Sequence, residues 1–188
     1  MLILAFETSA KSCSAAIHDG KSLLAESYQN SGLTHSQTLM VMAEDLLKVC
    51  GKSAADVTHL AAAAGPGSFT GIRIGVSAAK GFAWGAEKPV YGVSTLESMA
   101  LGLGVWSGYV CCCMDARRNQ VYNAIFRAEN GELKRISEDR AVALSDLKEE
   151  LAHLDGPIWL VGDGAALQPN YLRLSQAERE RMEKLQAK

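Results

Sequence analysis

The order of patterned segments repeats once along this chain of 188 residues, and a repeat on that scale constrains the fold more than any single motif. The run Leu2-Ile3-Leu4-Ala5-Phe6 suits a strand buried on both faces and ends at the acidic Glu7. Cys13 to Ser27 reads as two strands joined at Asp19-Gly20, a strong hairpin dipeptide. From His35, Leu39, Met42, Ala43, Leu46 and Cys50 recur at helical spacing, and Gly51 marks the stop. A strand over residues 59–65, a glycine turn, a helix from after Ser68 to near Gly85, and a strand over residues 88–94 follow.

The second unit begins at residue 109 with the strand "YVCCCMDA" and continues with "QVYNAIFRA". An Asn130-Gly131 turn leads to "ELKRIS", then a helix "LSDLKEELAHL" and a strand "PIWLVGDGA". The first strand of each unit ends in an acidic residue, Glu7 or Asp115. The late strand of each ends in G-x-G, at Gly65 and Gly67 or at Gly162 and Gly164. The reading is α/β, a duplicated βββαβα unit in two lobes, 1–104 and 105–188. Duplication also predicts a long helix after the second glycine turn, yet Pro169 follows within a few residues and is costly in a helix interior. A helical segment is therefore expected to be missing after about residue 165. Ser175 with Glu178 three residues on forms the capping box of a terminal helix.

The formal net charge of −2 leaves no basic excess to hold nucleic acid, so any RNA is expected to be held by a partner. No apolar stretch approaches the roughly 18 residues needed to cross a bilayer, and no basic segment follows Met1. The expected location is cytoplasmic, with no membrane contact. Five cysteines, three of them adjacent at Cys111, Cys112 and Cys113, form neither a disulfide framework nor a C-x-x-C metal pair. They are expected to be reduced and buried on strands.

The turn "GPGSFTG" satisfies neither phosphate-loop spacing: Gly71 is followed by Ile72, and Thr70 breaks G-x-G-x-x-G. Free N–H groups at a helix start, with the hydroxyls of Ser68 and Thr70, still favour an anion. The alternative is that the glycines serve only a tight strand-to-helix reversal. In the helix that follows, Ile72, Val76, Ala79 and Ala83 form one face, and Gly71, Gly75, Ala78 and Phe82 form a second stripe. A helix apolar on two sides buries both, and a small-residue stripe admits a second backbone. Met40 and Val41 likewise lie off the core face of the first helix. Two such helices point to an interface on the outer surface.

The acidic-Thr-Ser end of the first strand and the G-P-G-S-F-T-G helix opening resemble the actin-like ATPase (ribonuclease H-like) fold. Within it, "FETS", "THSQTL", "GPGSFTGIRIG", "KGFAWG", "GVSTLESMA", "MDARRNQVY" and "NYLRLSQAERE" are similar to the TsaB family of tRNA threonylcarbamoyladenosine biosynthesis. The resemblance implies a non-catalytic paralogue required for N6-threonylcarbamoyladenosine formation at tRNA adenosine 37. It would bind and activate the transferase TsaD as a direct heterodimer, in a complex that includes the ATPase TsaE, with tRNA reached only indirectly. It implies a partner surface on the two helices, at His35, Ser36, Met40, Val41, Gly71, Ile74, Gly75, Ala78 and Phe82. The same stripe would support a homodimer when the chain is alone, and its Gly75→Arg variant is expected to fold but not bind. No tightly bound cofactor is expected. ATP or ADP at the partner interface, and a nucleotide or phosphate contact at Gly67, Ser68, Thr70 and Arg117, complete the expectation. Family members carry a few dozen more residues between the segments around "VGDGA" and "YLRLSQAERE".

Several departures argue against independent catalysis. Catalytic relatives carry H-x-x-x-H where this chain has Thr95 and Met99, and a thioether does not replace imidazole on a hard or borderline metal. The second phosphate loop of kinase-type relatives needs glycine after its Asp, whereas Asp115 is followed by Ala116, Arg117 and Arg118. That arginine pair suits either a phosphate supplied from elsewhere or a solvated hairpin tip. Ser9, Cys13 and Ser68 have no His or acid placed by sequence to activate them, so no catalytic or metal residue is assigned. The alternative class, an autonomous actin-fold ATPase or small-molecule kinase, rests on the fold and the glycine turns.

Overall fold

The computed structural model describes residues 1–105 and 107–167. Its first sheet runs in the order β3-β2-β1-β4-β5, from β1 (Ile3–Glu7), β2 (Cys13–His18), β3 (Leu23–Gln29), β4 (His59–Gly65) and β5 (Val90–Ser94). The β1, β2 and β3 pairs are antiparallel, and β1, β4 and β5 run parallel. Helices α1 (His35–Val49) and α2 (Phe69–Ala86) pack on one face of this sheet. Leu4, Phe6, Ile17, Leu39, Leu60 and Ala79 form the centre of that core.

The second sheet runs β10-β6-β7-β8, from β6 (Gly108–Arg117), β7 (Gln120–Glu129), β8 (Glu132–Arg135) and β10 (Ile158–Val161). A further strand β9 (Arg140–Ala143) pairs with the first half of β7. Helix α4 (Leu144–Ala152) connects β9 to β10 as α1 connects β3 to β4. β1, β2, α1 and β4 therefore correspond to β6, β7, α4 and β10, and the expected duplication is present. Two elements lay outside the sequence reading: β9, and helix α3 (Thr95–Gly102), which β5 leads directly into. Leu96 and Ala100 of α3 pack with Val110, Cys112 and Phe126, so this helix joins the core of the second sheet although it precedes the expected boundary at 104/105. The terminal helix expected from Ser175 lies outside the described residues.

The three adjacent cysteines are fully or almost fully buried. Alternation on β6 turns Cys112 toward α3 and Cys111 with Cys113 toward α4, so the run serves two cores at once. Among the described residues no helix is long and apolar enough to cross a membrane.

The inward face of α2 corrects the helical wheel. Its buried residues are Gly71, Gly75, Ala79 and Ala83, while Ile72 and Val76 sit at the margin. A Cβ at Gly71 would collide with the carbonyl of Thr8, and one at Gly75 with the Thr8 hydroxyl. The glycine stripe thus admits a backbone, as expected, but it is that of Thr8, just after β1 of the same lobe. Gly71 and Gly75 are consequently not on the outer partner surface, and Gly75→Arg would break the lobe rather than leave it folded.

This geometry predicts opposite signs at two glycines of one helix. Gly71→Ala should destabilise by about 1–3 kcal/mol through overpacking, despite the roughly 1 kcal/mol that alanine gains over glycine in a helix. Gly81→Ala meets open space and should stabilise by up to about 1 kcal/mol. Urea unfolding midpoints of the two variants against the parent chain check the pair.

Candidate functional site

Two surfaces meet around the start of α2. The first is a groove between α1 and α2 on the outside of the lobe. α1 turns Leu39, Met42, Ala43, Leu46 and Leu47 inward, leaving Ser36 exposed and the large apolar Met40 and Val41 in solvent at 42% and 56% exposure. α2 supplies Ile74 and Ala78, both half-buried, and Phe69, which is 74% exposed. The Arg73 guanidinium lies 5.1 Å from the Phe69 ring centre, a cation–π contact at the groove lip. The groove holds about 520 Å³, and beyond Met40 a second hollow of about 380 Å³ opens beside Phe82 and Glu44. Of the residues expected at a partner surface, Ser36, Met40, Ile74, Ala78 and Phe82 line these hollows, and Val41 is exposed on the same helix. His35 is turned toward the β1–β2 turn, where its Nε2 lies 3.0 Å from the carbonyl of Ala10.

The second surface is the cleft between the lobes, about 460 Å³, walled by Ser9, Lys11, Gly67 and Ser68 on one side and by Asp115, Arg117 and Asp163 on the other. Each wall is built by equivalent positions of the repeat: the turn after β1 or β6, and the glycine turn after β4 or β10. Ser68 caps α2, its Oγ accepting from the Gly71 N–H at 3.2 Å, while its own N–H donates to the Ser9 carbonyl at 2.7 Å. Ser9 is 2% exposed, and its Oγ has no hydrogen-bond partner among the described residues. A buried hydroxyl without a partner costs free energy, and this one belongs to a cleft residue beside a helix N-terminus. Across the cleft Asp163 accepts from the Asp115 N–H, and Asp115 accepts from the Arg117 N–H. Arg117, Arg118 and Asn119 all adopt positive φ, of 69°, 53° and 59°, a rare run for residues other than glycine. The Arg117 side chain is 85% exposed and only 3.9 Å from Asp115, a loose ion pair worth little.

Gly67, Ser68 and Arg117 line the same cleft, whereas Thr70 does not. One step into the helix, Thr70 rotates away from the cleft and lines the α1–α2 groove. Ser9 was weighed by sequence only as a nucleophile, and Lys11 and Asp163 went unnoticed. The signal available for all three was their place in turns that follow equivalent strands.

Thr95 is 3% exposed in the first turn of α3, and Met99 packs against the second core. Among the described residues no three His, Cys, Asp or Glu side chains come together in a metal-binding group. Burial raises the Cys13 thiol above its ordinary 9.0 and pushes Cys112 up to about 12. Both are protonated at neutral pH and poor nucleophiles.

A family model described as TsaD, tRNA N6-adenosine threonylcarbamoyltransferase, matches residues 29–163. The tRNA threonylcarbamoyladenosine biosynthesis protein TsaB of Bacillus subtilis is 35% identical over 167 residues, covering 89% of this chain and 73% of the relative. The chain belongs to the TsaB family. TsaB of Escherichia coli is 36% identical over 167 residues, with 87% of this chain and 72% of the relative covered. Among solved structures, YeaZ from Pseudomonas aeruginosa superposes with a TM-score of 0.68 at 30% identity, over 75% of this chain and 66% of that one. The ethanolamine utilization protein EutJ of Carboxydothermus hydrogenoformans, at 14% identity and a TM-score of 0.51, shares the fold alone. The two lobes carry the duplicated α/β unit that the sequence indicated, and the fold is shared with YeaZ.

The raised thiol of Cys112 carries a pH signature. A group whose folded pKa lies above its ordinary 9.0 favours the folded state below that pH and ceases to do so as the pH climbs toward 12. Urea midpoints should fall from pH 9 upward, and the fall should be smaller in Cys112→Ala after allowance for that variant's lower stability at neutral pH.

Proposed function

We propose that this chain is a non-catalytic subunit of tRNA threonylcarbamoyladenosine synthesis that docks and activates TsaD through the outer face of α1 and α2. Membership of the TsaB family supports the pathway. The observation that carries the docking role is the α1–α2 groove, where Met40, Val41 and Phe69 hold apolar side chains in solvent beside a hollow of about 520 Å³. Exposed apolar side chains grouped around a concave surface mark an interaction site rather than a core. Arg73 and Ser36 at the rim supply polar contacts that fix register. TsaE joins the same complex in this reading, and tRNA is held by the partners. The net charge of −2 accords with that division of labour. Without TsaD, the same groove makes a homodimer the natural alternative.

A second reading, an actin-fold ATPase or small-molecule kinase, draws on the interlobe cleft. Lys11 and the N-terminus of α2 form a surface that suits an oxyanion, including a phosphate of ATP or ADP. Opposite them, Ala116-Arg117-Arg118 occupies the turn where close backbone approach to phosphate calls for glycine. Asp115 is committed to its own turn through the Arg117 N–H. The cleft therefore favours occupancy without turnover.

Light scattering on the purified chain mixed with TsaD of the same organism, with and without ATP, tests both readings. The expected result is a stoichiometric complex that Met40→Lys weakens by at least about tenfold, because a lysine in the groove places an unpaired charge against an apolar contact. Unchanged association of Met40→Lys would overturn the surface assignment. ATP hydrolysis by this chain alone would establish the second reading in its place.

A further inference from the structure

Among the described residues the chain passes from the first lobe to the second between β5 and α3, and the crossing has no slack. Ser94 ends β5, where it pairs with Gly65 of β4, and the same residue caps α3. Two residues on, Leu96 is already 0% exposed in the second core, beside Val110, Cys112 and Phe126. Ala10, in the turn after β1, packs on that same cluster, so α3 is wedged between the lobes.

Four residues close a ring around this crossing. The Glu97 N–H donates to the Ser94 Oγ at 3.2 Å, and that hydroxyl donates to Oδ2 of Asp139 at 2.6 Å. The other Asp139 oxygen accepts from Arg135 at 2.7 Å, and the second terminal nitrogen of Arg135 reaches the Glu97 carboxylate at 3.0 Å. The ring ends on the residue where it began. Arg135 lies on β8 opposite Phe126 of β7, with its guanidinium 4.7 Å from that ring centre. The loop that carries Asp139 is tied down as well: the Ile136 and Ser137 N–H groups both donate to the Ile125 carbonyl, and the Ser137 Oγ accepts from the Ile125 N–H. With Arg135 only 24% exposed and shared between two carboxylates, this is a network of charges rather than an isolated surface pair.

The bond from Ser94 to Asp139 joins the first sheet to the second lobe. Gly65, the register partner of Ser94, opens the glycine turn that forms one wall of the interlobe cleft, and β7 supplies Tyr122 to the cleft. Fixing Ser94 against Asp139 therefore fixes how far apart the walls stand. We propose that Ser94, Glu97, Arg135 and Asp139 form an interlobe lock, which ties the lobes at the start of α3 and holds the cleft at one width. Arg135 is its positioning residue, aiming Asp139 at Ser94. The lock is independent of both functions proposed above.

Pulsed dipolar spectroscopy of the full chain, spin-labelled at Cys50 and at Glu132→Cys, reads the separation of the lobes. Cys50 ends α1, the other native cysteines are buried, and Glu132 is exposed at the β7–β8 hairpin. The labelled parent should give one narrow distance distribution, and Asp139→Ala and Ser94→Gly should each widen it at least about twofold. Glycine at a helix start costs little relative to serine, so Ser94→Gly opens the lock without unmaking α3. Neither residue belongs to a core cluster, so neither variant leaves a cavity. The two variants remove one bond from opposite ends, and the double variant should therefore widen the distribution no further than either alone. Hydrogen exchange on the unaltered chain needs no variant to fold: the Glu97 amide should be protected at least about tenfold over an unstructured peptide. A parent distribution as wide as those of the variants, a width that neither variant changes, effects that add in the double variant, or an unprotected Glu97 amide would each overturn the proposal.

Discussion

The first lobe depends on how closely helix α2 approaches the end of β1. Thr8, 1% exposed, donates its hydroxyl to the carbonyl of Gly71 at 2.8 Å. Gly71 and Gly75 bring the helix near enough for that bond by having no Cβ to hold it off. Several features follow from this one contact. Ser68 reaches the Ser9 carbonyl, which closes the glycine turn over the β1–β2 turn and forms one wall of the cleft. Ala79 and Ala83 then bury against the sheet, and Ile74, Ala78 and Phe82 are displaced to the flank facing α1. The groove exists because the small residues take the inside and the larger ones are left over.

Duplication explains the cleft and its imbalance. Each lobe contributes the turn after its first strand and the glycine turn after its late strand, so a roughly symmetric hollow arises where the two meet. The first lobe brings a full 18-residue helix with its N-terminal N–H groups and the buried Ser9 hydroxyl. The second brings a short helical turn at residues 163–166, two carboxylates and an arginine held mostly in solvent. A catalytic phosphate site needs converging donors from both sides, with little of their potential spent on internal turns. Here the second side spends its donors and acceptors on itself: the Asp115 carboxylate caps the Arg117 N–H, and Asp163 caps the Asp115 N–H.

Legibility varied with the range of the determining interaction. The continuous apolar run of β6 is legible because both its faces are covered, whereas β1, expected to be buried on both faces, buries Leu4 and Phe6 and leaves Ile3 and Ala5 partly exposed. The Asp19-Gly20 and Asn130-Gly131 turns were equally plain, since Gly20 and Gly131 adopt the positive φ, 92° and 80°, that such turns require. Helix α3 was missed because "TLESMALG" is only eight residues long and follows a strand without a break, its N-cap being the last strand residue, Ser94. Strand β9 was missed because four residues carry too little alternation to register. The outward placement of Met40 and Val41 is legible because an apolar side chain off the core face is visible on a helical wheel. Gly71 and Gly75 were assigned to the wrong neighbour, because a wheel shows that small residues align without showing what they align against.

The sequence alone determined the duplicated α/β architecture, the two helices with surplus apolar surface, the reduced and buried cysteines, and membership of the family. Each of these rests on local pattern or on motif identity, which chain order carries by itself. Only the tertiary structure decided that the glycine stripe faces Thr8, and that Thr70 belongs to the groove while Ser9 and Lys11 belong to the cleft. Those outcomes depend on contacts between segments tens of residues apart. Which of two apolar faces turns inward is settled by the fit of one backbone against another, and helical or strand periodicity does not encode that choice.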